Sequence, residues 1–188
     1  MNTTVYFIRH AKPDISIKDD MTRPLSLEGI EKSKELVKLF KEIKIDYIYS
    51  SPFKRAIQTI EPIVKNKNIK IEVINDFRER KMSDEWIENY EEYSKKQWDD
   101  FSYKLADGES LNEVQLRNIQ ILNRILEDNN GKRIIIGTHG TSLSTIINYY
   151  DKTYNYNEFM EIINIMPYIV KIEFEKNKYI KRMEINLE

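Results

Sequence analysis

Two short apolar runs of strand type, each closed by a histidine, constrain this chain more than anything else in it. Val5-Tyr6-Phe7-Ile8-Arg9-His10 is one, and Arg133-Ile134-Ile135-Ile136-Gly137-Thr138-His139-Gly140 is the other. These are the only two histidines in 188 residues. Runs this short and this rich in β-branched residues suit buried parallel strands rather than helices. A parallel strand delivers the residue after its last rung to the carboxyl edge of the sheet, where ligands of open α/β sheets bind. Two imidazoles placed to face one crevice point to nucleophilic or acid–base chemistry.

The remaining pattern alternates strands with helices. Thr4–Ile8 reads as a first strand. Ser26 is the expected N-cap of a helix whose apolar stripe is Ile30, Leu36, Val37, Leu39 and Phe40. Asp46–Ser50 is a second strand, and Ser51-Pro52 is expected to start the next helix with Pro52 at its first position. Pro62 is expected to kink or shorten that helix. Ile69–Ile74 is a third strand. Ser110-Leu111-Asn112-Glu113 has the form of a capping box opening a helix to about Asp128. Lys132–Thr138, the most apolar strand, belongs at the centre of the sheet, and Thr141–Tyr150 follows as a helix. Tyr168–Glu175 and Tyr179–Leu187 alternate apolar and polar residues around Lys176-Asn177-Lys178, as in a terminal hairpin. This succession implies one α/β domain over residues 1–188, a three-layer sandwich with a mostly parallel central sheet and helices on both faces. Only residues 81–109 break the pattern. There Trp86, Tyr90, Tyr93, Trp98, Phe101 and Tyr103 lie among acids and lysines. This stretch reads as a small inserted, mostly helical cap, equally a substrate lid or packing for an excursion helix.

Composition removes several function classes. Hydrophobic residues make up 40% and charged residues 32%, the balance of a globular chain. A net charge of −1 argues against a broad nucleic-acid footprint. With no cysteine, thiolate catalysis, disulfides and cysteine-based metal sites are excluded. The opening Met1-Asn2-Thr3-Thr4-Val5 lacks the basic and apolar regions of a signal peptide, and no apolar run reaches bilayer length. A cytoplasmic protein with no membrane or nucleic-acid partner is expected, its oligomeric state unreadable.

Four segments carry candidate chemistry. Phe7-Ile8-Arg9-His10-Ala11 sets a guanidinium beside an imidazole at a strand end. Ser50-Ser51-Pro52-Phe53-Lys54-Arg55-Ala56-Ile57-Gln58-Thr59 adds a second arginine in the first turn of the next helix. Phe77-Arg78-Glu79-Arg80 places a carboxylate just after the third strand. Gly137-Thr138-His139-Gly140 sets the second imidazole before a helix N-terminus. Taken singly, each has an ordinary reading: a strand-end histidine satisfied by backbone, a surface arginine, a solvated loop carboxylate with Asp76, Glu85 and Glu88 as neighbours. Gly131-Lys132 lacks the earlier glycine and final Ser/Thr of a phosphate-binding P-loop. In order and approximate spacing, the four segments resemble the histidine phosphatase superfamily, the phosphoglycerate mutase-like proteins. That family shows an R-H-G/A start, an S-x-x-x-R-A-x-Q-T segment, an acid after the third strand and a G-H-G-like strand end.

The resemblance implies a phosphomonoester hydrolase working through a phosphohistidine on a small phosphate ester. His10 would attack phosphorus, splitting one hard displacement into two. Arg9 and Arg55 offer fork-shaped donors that fit phosphate oxygens better than lysine. His139 and Gly140, at a helix N-terminus, would donate to the phosphoryl group. Glu79 would protonate the leaving alkoxide and later accept a proton from water. No metal and no cofactor is implied. Ala11 stands where glycine is commoner, and Lys12, Pro13 and Asp14 replace the family's further phosphate donors, leaving Ser16 or Thr22 as candidates. Glu79-Arg80-Lys81-Met82 departs from the E-R-H-Y-G of cofactor-dependent mutases. Two other readings remain: a phosphoglycerate-type mutase on the same site, and a non-catalytic phospho-ligand binding module. A binder could lose His10, Glu79 and His139 without penalty. A phosphatase acting on phosphoprotein is a further variant.

Overall fold

The computed structural model describes residues 1–85 and 87–187. Six strands, β1 (Asn2–Arg9), β2 (Tyr47–Ser50), β3 (Ile71–Val73), β4 (Arg133–Thr138), β5 (Tyr168–Glu175) and β6 (Lys178–Ile185), form one sheet in the order β3-β2-β4-β1-β5-β6. The first four are parallel; β5 and β6 are the expected hairpin and run antiparallel. The sheet is thus mixed, with β4 and β1 at its centre.

The side chains of the central strands divide between two cores, as a pleat requires. Val5 and Phe7 of β1 and Ile134 and Ile136 of β4 pack on one face with α4 (Leu111–Asp128) and α5 (Gly140–Tyr150). Tyr6, Ile8 and Ile135 point to the other face, against α1 (Leu27–Phe40) and α2 (Lys54–Lys67). Ser26 caps α1 by accepting from the Gly29 N–H, and Ser110 and Glu113 close the predicted capping box on α4. β1 therefore passes its chain to α1 on one face, while its neighbour β4 passes to α5 on the opposite face. Where adjacent strands diverge in this way a crevice opens at their carboxyl ends. Both histidines sit at that crevice.

Three sequence expectations need correction. α2 begins at Lys54, not Pro52, because the backbone before it is held elsewhere: the Ser51 N–H bonds the Gly137 carbonyl, the Lys54 N–H bonds that of Met21, and Phe53 is extended. Pro62 does not shorten α2, which runs on to Lys67; Ile60 and Ile63 on either side are fully buried and hold the helix to its core. Within residues 81–109 the only helix among the described residues is α3 (Tyr90–Asp99), so this segment is mostly non-helical. Trp86, which the sequence assigns to it, lies outside the described residues. A short 3-10 turn (Asn75–Phe77) and α6 (Tyr156–Glu161, with an Asn155–Glu158 capping box) were not anticipated. Among the described residues no helix is long and apolar enough to cross a membrane.

Candidate active site

The register of the central strands builds the site. β1 and β4 pair Ile8 with Gly137 and Arg9 with Thr138, and the His10 N–H continues the ladder to the Thr138 carbonyl at 3.1 Å. The next residues on each strand are the two histidines, whose rings lie 5.3 Å apart at 62°. β2 pairs Ser50 with Gly137, so Ser51 arrives beside His139.

His10 Nδ1 lies 2.8 Å from the Ala11 carbonyl oxygen. A carbonyl only accepts, so Nδ1 carries the hydrogen and Nε2 holds the lone pair in the neutral ring. Burial pushes the His10 pKa well below its ordinary value, and the Arg55 and Arg9 charges push it further down. His139 is fully buried and shifted the same way, by burial and then by Arg55 and His10. Its Nε2 lies 2.7 Å from Ser51 Oγ, and that oxygen accepts from the Phe53 N–H. His139 Nδ1 is buried without a protein partner. Phe53 packs edge-on against His139, with centroids 5.0 Å apart, and its ring carries the Arg55 guanidinium at 4.9 Å.

Both arginines reach the site already anchored. Arg9 Nη1 donates to the carbonyls of Ile162 (2.6 Å) and Ile165 (3.3 Å), just beyond α6, while its Nε has no partner. Gly140 permits this placement: a Cβ there would come within 3.3 Å of Arg9 Nε. The Arg55 side chain is 4% exposed; its Nη1 bonds the Asp20 carbonyl and lies 3.1 Å from Asp20 Oδ1. The same Asp20 oxygen takes Arg23 Nη1 at 2.8 Å, so the loop between β1 and α1 is tied to the arginine of α2.

Glu79 joins the group from the opposite side of the crevice. Its carboxylate accepts the N–H groups of Thr141 (3.1 Å) and Ser142 (3.2 Å) at the start of α5, and that of Arg80 (2.8 Å). A helix N-terminus is a favourable seat for a carboxylate. The Glu79 charge is felt by Arg9 and Arg55 alike.

The structure thus brings Arg9, His10, Arg55, Glu79, His139 and Gly140 together. It does not bring Ser16 or Thr22. Their hydroxyls bond the neighbouring carboxylates of Asp14 and Asp19 on an exposed loop. Sequence reasoning also left Ser51, Thr59 and Asp20 without roles. Ser51 and Thr59 were visible as letters of the S-x-x-x-R-A-x-Q-T segment. Thr59 Oγ1 accepts the Ala11 N–H at 2.9 Å and donates to the Arg55 carbonyl at 2.7 Å. Among the described residues no group of three or more His, Cys, Asp or Glu side chains is arranged to hold a metal ion.

The model of the histidine phosphatase superfamily (branch 1) matches residues 5–184. The chain belongs to the histidine phosphatase superfamily. Phosphoglycerate mutase-like protein 4 of Arabidopsis thaliana is 38% identical over 114 residues, covering 55% of this chain and 49% of that protein. The chain therefore spans about half the length of this relative. PhoE of Bacillus subtilis (strain 168), an uncharacterized phosphatase, is 27% identical over 151 residues, covering 77% of this chain and 76% of the other. The fold is shared with a mycobacterial glucosyl-3-phosphoglycerate phosphatase, with a TM-score of 0.78 and 13% identity over 98% of this chain and 97% of that one. The superfamily motif letters Arg9, His10, Ser51, Arg55, Thr59 and His139 are the residues that meet at the crevice.

Proposed function

We propose that this histidine phosphatase superfamily chain hydrolyses a small phosphate monoester through a phosphohistidine on His10. The observation that carries the reading is the state of the His10 ring. It is buried, tied by Nδ1 to the Ala11 carbonyl and flanked by two guanidiniums, which leaves neutral Nε2 as the attacking atom. In the first step Nε2 attacks phosphorus, the P–O bond to the leaving group breaks, and Glu79 gives its proton to the departing alkoxide. Arg9 and Arg55 balance the equatorial oxygens as charge shifts. His139 donates from Nδ1, a role that needs Ser51 to donate its hydrogen to Nε2. In the second step Glu79 accepts a proton from water, the oxygen attacks phosphorus, and the P–N bond breaks to return neutral His10. Residues 81–109 act as the cap of the single domain. Their part is to border the site, as the packing of Arg80, the residue after Glu79, over the rings of Tyr90 and Tyr93 supports.

A mutase on the same site is the second reading, favoured by the Arabidopsis relative's name. Against it stands the Glu79-Arg80-Lys81-Met82 sequence, which departs from the E-R-H-Y-G of cofactor-dependent mutases after Arg80. Arg80 itself is engaged by residues 81–109, bonding Gln97 and lying over Tyr90 and Tyr93. The test is a phosphate-release screen over sugar phosphates, phosphoglycerates, nucleotides and phosphopeptides. A hydrolase yields free phosphate and alcohol in equal amounts from a small ester. Recovery of the phosphoryl group on a monophosphoglycerate would overturn the reading in favour of a mutase, and binding without turnover in favour of a phospho-ligand module.

A further inference from the structure

The segment that carries Glu79 is gripped through its backbone by an ion pair between Arg117 and Glu109. Arg117, on the inward side of α4, donates Nη1 to the carbonyls of Asp76 (2.6 Å) and Arg78 (2.9 Å) and Nη2 toward that of Glu79 (3.4 Å). Its Nε and Nη2 also form a fork with the two oxygens of Glu109, at 2.9 and 3.0 Å. Glu109 carries the grip onward. Its carboxylate takes Arg78 Nη2 at 2.7 Å and the Lys81 N–H at 3.0 Å, and its own N–H bonds the Lys81 carbonyl at 2.7 Å. Gly108 lets the two chain segments approach this closely, because a Cβ there would overlap the Met82 carbonyl oxygen. The pair is mostly buried, with Arg117 11% and Glu109 16% exposed. The carbonyls of Asp76, Arg78, Glu79 and Lys81 and the Lys81 N–H are thereby fixed by Arg117 and Glu109, while the Thr141 and Ser142 N–H groups hold the Glu79 carboxylate and the Ser142 hydroxyl holds the Arg78 carbonyl.

We propose that Arg117 and Glu109 are positioning residues for proton transfer by Glu79. A three-residue 3-10 turn and a loop carry the acid, with no long element of their own to set its place. A guanidinium has five N–H donors in a fixed fork, and Arg117 uses them to bind side chain and backbone at once. Misplacing a reacting group by about 1 Å can cost about 10²-fold, so the grip has kinetic consequence even though it touches no substrate. The inference rests on the reading of Glu79 as the acid.

The test compares an alkyl phosphate with nitrophenyl phosphate in the phosphorylation step, read as single-turnover release of alcohol and burst release of nitrophenol. An alkoxide leaving group needs the proton and nitrophenolate hardly does. Glu79→Gln serves as the reference, expected to lose on the order of 10²–10⁴-fold on the alkyl ester and far less on the aryl ester. Arg117→Met and Glu109→Gln are each expected to lose roughly 10–100-fold on the alkyl ester with a much smaller aryl loss. Arg117→Lys, which keeps the charge without the fork, should not restore the alkyl rate. Vanadate, which reports the phosphate pocket alone, should bind these variants as it binds the parent. Adding Arg117→Met to Glu79→Gln should cost little more on the alkyl ester than Glu79→Gln alone. The ratio of the two esters within one sample does not depend on the folded fraction, and Glu109→Gln decides the matter if Arg117→Met does not fold. Equal losses on both esters in the Arg117 and Glu109 variants, with the contrast intact in Glu79→Gln, would overturn the positioning role alone. Loss of the contrast in Glu79→Gln itself would overturn the assignment of the acid, and the positioning role with it.

Discussion

At the scale of single residues, the hydroxyl of Thr59 links the two halves of the phosphate pocket. It accepts the Ala11 N–H, directly after His10, and donates to the Arg55 carbonyl, so nucleophile and guanidinium share one anchor. Thr59 is fully buried, and Thr59→Val keeps its shape while removing both bonds. A buried N–H left without a partner costs about 1–3 kcal/mol. Thr59→Val should therefore lower stability by about that much at an unchanged denaturant slope, and Thr59→Ser should retain most of it. A Thr59→Val protein as stable as the parent would refute the anchor. Residues such as His10, Arg9 and His139 were legible in the sequence because a strand end fixes where the next side chain goes. Arg55 was legible because it falls in the first turn of α2 whether that helix starts at Pro52 or at Lys54. The Asp20–Arg55 contact was not. It joins a loop to a helix 35 positions away, and nothing local in either segment records the pairing.

At the scale of elements, β1 and β4 were readable because their side chains are buried on both faces, which leaves continuous apolar runs. α6 and the 3-10 turn were not, since elements this short carry too little periodicity to show. The start of α2 was misplaced because bonds to Gly137 and Met21, distant in sequence, hold residues 51–53 outside the helix. The two central strands also impose a pH dependence on the fold. Each ends in a buried histidine whose pKa lies well below its ordinary 6.5, through burial first and the nearby arginines next. Below pH 6.5 the unfolded chain takes up two protons that the folded chain refuses. Stability is thus complete above pH 6.5 and falls as the pH drops towards the folded values, by up to about 1.4 kcal/mol per pH unit for each histidine. Denaturant midpoints between pH 7.5 and 5.5 should show this slope, and a His10→Gln/His139→Gln variant should lose most of it. An equal slope in parent and variant would place the titration elsewhere.

At the scale of the whole molecule, the site exists because neighbouring strands send their chains to opposite faces of the sheet. β1 leads to α1, β4 leads to α5, and the opening between them receives Arg55 from α2 and Glu79 from the segment before α3. The alternation of strands and helices made this architecture legible. Residues 81–109 were the least legible part, because their shape depends on contacts such as Glu109 with Lys81 and Arg80 with Gln97 rather than on a periodic pattern. The central claim is that this crevice transfers a phosphoryl group to His10. The direct measurement is to mix the protein briefly with a phosphate-labelled ester, quench it, and map the label, in parallel samples with and without chelator. The account predicts an acid-labile, alkali-stable phosphate on His10, formed at the same rate with chelator as without it, and absent from His10→Ala. Label on any other residue, label retained in His10→Ala, or labelling that stops in chelator and returns with added divalent metal would contradict it.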